Sequence, residues 1–269
     1  MEPNDFIREV AVALTRREDI TDRDARTTLY KLAVALYWLL LREMPTGQLP
    51  HLMAWSRLRP QIVQLLEETV IALEPTLTAR LIDAEAALQP IFAQFYATTM
   101  QIERPPQELL ATTAVSGVSV QALFRRSGLT GLSPFGTQLM RLLERSILPL
   151  IMQNTEAATL ASHIATPRTI GGKQQFLVTK GTVASSWRSR FRNITAAAMW
   201  ALLTPNADRY AATSDKLITQ WKWYAVLDPK TCPVCLPLDG TLAPAPDAFP
   251  HGAPPLHPNC RCVTLPIYV

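Results

Sequence analysis

The chain has 269 residues, 48% of them hydrophobic, which is enough for a sizeable core and excludes global disorder. Its longest apolar run, Leu32 to Leu41, is half the length of a bilayer span. The net charge of +4 is unevenly placed: from residue 157 onward eleven Lys/Arg face five Asp and no Glu, a net +6, whereas residues 1–156 carry −2.

No apolar leader opens MEPNDFIREV, so the protein is expected to be made in a cytoplasm, where thiols stay reduced. Phe6, Val10, Val12 and Leu14 predict a helix over 3–20. Thr21 and Asp22 read as a stop and a new cap. A second helix is then expected from Asp22 to Leu41, on Ala25, Leu29, Leu32, Ala33, Leu36, Leu39 and Leu40. Met44 to Pro50 reads as a loop. Pro60 predicts the start of a third helix, carrying Ile62, Leu65, Leu66, Thr69, Val70 and Leu73, and Pro75 and Pro90 predict breaks or kinks.

Arg104-Pro105-Pro106 marks the first domain boundary, giving an N-terminal helical region over 1–104. A helical body follows over 105–220. Helices are expected at 107–113, 118–126 and, after a Gly/Ser/Pro loop at 127–136, from Thr137 to Ala165. Residues 168–181 read as a break around Gly171-Gly172. A basic amphipathic helix is predicted from Val183 to Leu203, ended by Pro205, with another from Arg209 to Gln220. The first buries Trp187, Phe191, Ile194, Ala198 and Leu202 and carries Arg188, Arg190 and Arg192 as a candidate surface for nucleic acid or a protein partner. His51 and His163 lack neighbouring ligand residues and read as ordinary side chains.

All the chemistry-bearing residues gather in a third region, 221–269. Cys232 and Cys235 form C-x2-C, and 21 residues later His257, Cys260 and Cys262 form H-x2-C-x-C. Residues 231–269 hold nine of the chain's 22 prolines, so the segment is loop-rich and needs a staple. Trp221 to Leu227 and Cys262 to Tyr268 are predicted strands that pair antiparallel and bring the two cysteine pairs together. Asp239-Gly240 signals a tight hairpin turn.

Two thiolates on one turn and further donors on a second turn fit one tetrahedral zinc, at one ion per chain. Five candidates compete for four places. Cys232, Cys235 and His257 are preferred, and the choice between Cys260 and Cys262 stays open. Disulfides or a redox C-x2-C are the competing readings; Pro237 and the Asp-Gly turn oppose the helix a redox motif wants. Surplus ligands and the absence of any Glu after residue 156 favour a structural ion over a catalytic one. The fold class is therefore mainly α: a multi-helix body followed by a small β/loop-rich, zinc-stapled module.

Trp223, Asp228, Thr231, Cys232, Cys235, Leu238, Asp239 and Gly240, followed by Pro254 to Cys262 (PPLHPNCRC), form a joined pattern. It resembles the phage head morphogenesis family, the Mu protein F-like minor head proteins. The resemblance covers about 40 residues; the helix before them, RSRFRNITAAAMWALL, lacks the acid that family members carry there. It implies a minor capsid protein of a tailed bacteriophage and no enzymatic activity. Such a protein works in procapsid assembly, DNA packaging or DNA delivery. The implied partners are portal protein, major capsid or scaffold protein, and packaged DNA, with no membrane; the implied place is the capsid interior near the portal vertex. The alternative from the residues alone is a nucleic-acid-binding zinc protein using its basic C-terminal half.

Overall fold

A computed structural model describes residues 1–44, 51–100, 132–170, 172–212, 218–228, 231–257 and 260–268. The elements are α1 (Pro3–Glu43), α2 (His51–Met100), α3 (Pro134–Met152), α4 (Ala157–Ser162), β1 (Thr166–Ile170), β2 (Lys173–Leu177), α5 (Val183–Trp200), α6 (Leu203–Ala212), β3 (Ile218–Ala225), β4 (Leu242–Ala243) and β5 (Cys262–Tyr268). The protein is mainly helical, with a small sheet and a cysteine/histidine cluster at its C-terminal end. The loop over 45–50, the 104/105 boundary, and the helices expected at 107–113 and 118–126 lie outside the described residues.

The first two helices are longer than their punctuation suggests. α1 runs through Thr21 and Asp22 because neither side chain is free to cap: the Thr21 hydroxyl donates to Arg17 O at 2.7 Å, and Asp22 is committed to Arg188. α2 begins at His51 and passes Pro60, Pro75 and Pro90 without ending. Each proline removes one backbone bond, a cost of roughly 3 kcal/mol in a helix interior. The offset is a continuous buried stripe: Leu58, Ile62, Leu66, Val70, Leu73, Leu77, Leu81, Ala84, Leu88 and Phe92 recur at three- and four-residue spacing across all three prolines. Val12, expected in the α1 stripe, is exposed instead.

The single long helix expected from Thr137 to Ala165 is two helices and the start of a strand. α3 ends at Met152, and Asn154 takes the left-handed conformation at φ 51°, which asparagine tolerates better than most residues. At the other end Ser133 caps α3, its hydroxyl accepting the Gly136 N–H at 2.9 Å while wholly buried. Ser133→Ala is expected to cost about 1 kcal/mol in urea unfolding, whereas Ser133→Asp, which keeps a capping oxygen, should retain more of that stability.

The break at 168–181 contains structure: β1 and β2 form an antiparallel hairpin with Thr166 opposite Leu177, and Gly172 turns at φ +75°. α5 and α6 are separate helices; Pro205 lies in the first turn of α6, where its missing N–H had no intrahelical partner to lose. The helix expected over 209–220 stops at Ala212, and by Ile218 the chain is a strand, three residues before the module was expected to open.

By contacts the chain divides into two units, each drawn from three or two separated segments. One comprises Met1–Thr21, Leu77–Ser119 and Arg192–Val269. In it Phe6 packs edge-on against Phe92 at 5.0 Å, Tyr96 Oη donates to Ala207 O at 3.1 Å, and Trp200 Nε1 donates to Glu18 Oε1 at 2.8 Å. The other comprises Asp22–Thr76 and Val120–Phe191. There the Trp187 Nε1 donates to Leu139 O at 2.9 Å, and Phe176 of the hairpin packs on Tyr37 at 4.7 Å.

Candidate metal centre

The sheet sets the position of the cysteines. β3 pairs antiparallel with β5, with Trp223 opposite Thr264 and Ala225 opposite Cys262, so the chain leaves β3 beside the place where it re-enters as β5. This is the pairing expected from the sequence. On the other edge β4 pairs with β3, Trp221 opposite Ala243. The Asp-Gly pair does not close a hairpin of two adjacent strands. It turns the chain from a short 3-10 helix, Leu236–Leu238, into β4, with Gly240 at φ +79°. Asp239 accepts the Ala225 N–H on Oδ1 at 2.8 Å, so its carboxylate serves the turn. α6 packs on β5, and Thr204 donates to Pro254 O at 2.8 Å, tying α6 to the module.

All five candidate ligands converge. Cys232 Sγ lies 2.9 Å and Cys235 Sγ 3.1 Å from His257 Nε2, and Cys235 Sγ lies 3.8 Å from Cys260 Sγ. Two triads result, Cys232/Cys235/His257 and Cys235/Cys260/Cys262, each with its donor atoms within 4.8 Å of one another and both including Cys235. A cavity of about 10 Å³ opens among Cys232, Cys235, His257 and Cys262, with Thr231 and Arg261 on its wall. Cys235, Cys260 and Cys262 are buried in an apolar cluster with Trp223, Leu238 and Phe249, and all four cysteines are free thiols.

These surroundings divide the thiols in ionisation. Hydrogen bonding from Cys262 outweighs burial at Cys260 and pulls its thiol down to about 5. Donation to Cys260, with burial, pushes Cys262 up. Burial, with donation to Cys232, pushes Cys235 up to about 12. At Cys232 burial opposes ionisation, but hydrogen bonds from Cys235 and the Val234 backbone and the charge of His257 prevail, so this thiol is lowered. Close-packed sulfurs cannot all carry negative charge unless a cation joins them. The donor set, thiolates and one imidazole in a dry pocket, fits a metal ion of the zinc type. Uptake of the ion would release the remaining protons.

Three supporting residues sit in the motif, though their spacing alone assigns them no task. Arg261 forms a two-pronged ion pair with Asp228: NH1 reaches Oδ2 at 2.6 Å and NH2 meets Oδ1. Thr231 donates its hydroxyl to Val226 O and accepts the Asp228 N–H at 3.1 Å. The pair therefore joins the loop before Cys232 to the residue between Cys260 and Cys262. Trp200, with no sequence signal at all, lies under the Arg261 guanidinium at 6.0 Å from the ring centre. Asp228→Ala should weaken metal affinity by about 10- to 100-fold, measured by competition with a chelating dye, while saturating metal still fills one site.

The three arginines proposed as a binding surface have intramolecular partners. Arg188 forks onto Asp22, with Nε 2.9 Å from Oδ1, and its pKa rises through that bond. Arg190 donates to Gln138, and Arg192 reaches Asp19 at 3.0 Å. His163 is exposed at the end of α4, where its carbonyl accepts the Val183 N–H at 2.9 Å, and His51 begins α2. Among the described residues no helix is long and apolar enough to cross a membrane.

Residues 150–265 match the model of the family described as Phage Mu protein F like protein. The match spans the β1–β2 hairpin, α5, α6 and the entire cysteine/histidine cluster, and it points to phage head morphogenesis. No curated protein and no solved structure matches the chain.

Proposed function

We propose that this chain, Mu protein F-like over residues 150–265, is a minor capsid protein of a tailed bacteriophage, associated with the portal and acting in procapsid assembly, DNA packaging or DNA delivery. The observation that carries the reading is the coincidence of the family match with the five converging donors. The protein is made in the host cytoplasm and ends in the virion, inside the capsid near the portal vertex. Its partners are portal protein and the major capsid or scaffold protein, with packaged DNA as a further contact of the basic C-terminal half.

In this reading the ion is zinc, one per chain, and its task is structural. Ligands outnumber the four places of a tetrahedron, which leaves no position reserved for substrate. Asp239, the nearest candidate for a general base, is occupied by the Ala225 N–H. No enzymatic role is proposed.

The test is biochemical. Heads assembled in infected cells should contain the protein at low copy, and it should co-purify with portal protein from procapsids. Procapsids from a wild-type infection that lack the chain would overturn the assignment.

A further inference from the structure

We propose that the ion is held by Cys232, Cys235, His257 and Cys260, and that Cys262 is not a ligand but a thiol donor to the Cys260 sulfur. The proposal rests on the reading of the cluster as a metal centre and decides which of the five donors it uses.

Two turns of the same build face each other. In one, the Cys235 N–H donates to Cys232 O at 3.1 Å; in the other, the Cys260 N–H donates to His257 O at 3.0 Å. Each turn thus sets two donors three residues apart at its open end. The Cys235 N–H also approaches Cys232 Sγ at 3.2 Å, which holds that sulfur in place and favours its thiolate. The two turns meet where Cys235 Sγ lies 3.8 Å from Cys260 Sγ. Two thiolates bound to one zinc at about 2.3 Å each stand about 3.8 Å apart in a tetrahedron.

Cys262 belongs to neither turn. It is the first residue of β5, held by the ladder opposite Ala225 and 4% exposed. Its thiol donates to the sulfur of Cys260. Charge gives a second, independent reason. Three thiolates and a neutral imidazole around a dication leave one negative charge in an apolar cluster. A fourth thiolate in place of the imidazole would leave two, at a larger desolvation cost. His257 Nε2 already stands between Cys232 and Cys235, so the imidazole is in and one thiol is out. Because Cys262 also borders the cavity, exchange of Cys260 for Cys262 is the outcome to test against.

The experiment uses the full chain loaded with cadmium-113 or cobalt(II). The cadmium resonance of the wild-type protein should lie in the range of three sulfurs and one nitrogen, with coupling to a single imidazole. Cys262→Ala should keep one ion per chain and the three-thiolate charge-transfer band of cobalt. Its affinity should fall about 10- to 100-fold, the usual effect of losing a hydrogen bond to a ligand. Cys260→Ala should lose the ion or drop to a two-thiolate spectrum. A four-sulfur cadmium resonance in the wild type would overturn the proposal, as would a Cys262→Ala chain that loses the ion while Cys260→Ala keeps it. The cadmium spectrum needs no variant, so misfolding of one cannot shelter the idea. A wild-type chain that takes up neither metal would overturn the metal centre itself, a result distinct from a changed ligand set.

Discussion

Cys235→Ser is expected to abolish metal binding and to unfold the C-terminal module while leaving the helices in place. Cys235 is the one donor common to both triads, and it is buried among Trp223, Leu238 and Phe249. The module around it has little else to hold it. β4 is two residues long, and the segment between β3 and β5 contains short 3-10 turns and loops. Small modules of this kind draw their folding free energy from the ion, on the order of 10 kcal/mol for structural zinc sites. Elemental analysis should find about one ion per wild-type chain and none in the variant. Hydrogen exchange should rise across 218–268, and far-ultraviolet circular dichroism, dominated by α1 and α2, should change little. Chelation of the wild-type protein should reproduce the variant. A Cys235→Ser chain with undiminished metal content would remove the centre from consideration.

Arg188→Ala is expected to destabilise the protein by roughly 2–4 kcal/mol, and Arg192→Ala by about 0–1 kcal/mol. The difference comes from what each arginine leaves behind. Asp22 is 6% exposed, and without Arg188 its carboxylate keeps only Arg26, at 3.9 Å. Asp19 is more than half exposed, so water replaces Arg192 at little cost. Arg188→Ala paired with Asp22→Asn should recover part of the loss, because the uncompensated buried charge is then gone. Urea unfolding of the three variants measures this. Equal, negligible effects of Arg188→Ala and Arg192→Ala would show that α5 holds its arginines out for another molecule and not for Asp22.

The site was legible because its signal is compositional and local. Four cysteines and a histidine at C-x2-C and H-x2-C-x-C spacing, in a proline-dense segment, point to a metal whatever the surrounding fold. The β3–β5 pairing was legible as well, from alternating aromatic residues at Trp221 and Trp223 and from the apolar run before Tyr268. The helix breaks were misread for one shared reason. Proline and Thr-Asp pairs mark ends by local preference, worth a few kcal/mol at most, whereas α1 and α2 are held by long stripes of buried side chains. The hairpin at 166–177 had a local signal in Gly171-Gly172, but its flanking strands are too polar to announce themselves.

The sequence by itself determined the class of the protein, mainly helical with a metal-type cluster at one end, and the identity of the five donors. Those follow from residue type and spacing, which act over a few residues. Only the tertiary structure decided that Asp22 joins Arg188 across 166 positions, that Asp228 locks onto Arg261, and that Trp200 lies beneath that guanidinium. Such pairings depend on which chain segments packing brings together, and no spacing along the chain encodes them. Among the donors the same division holds: spacing offered both Cys260 and Cys262, and the fold separated them by setting one on a turn and the other in a strand.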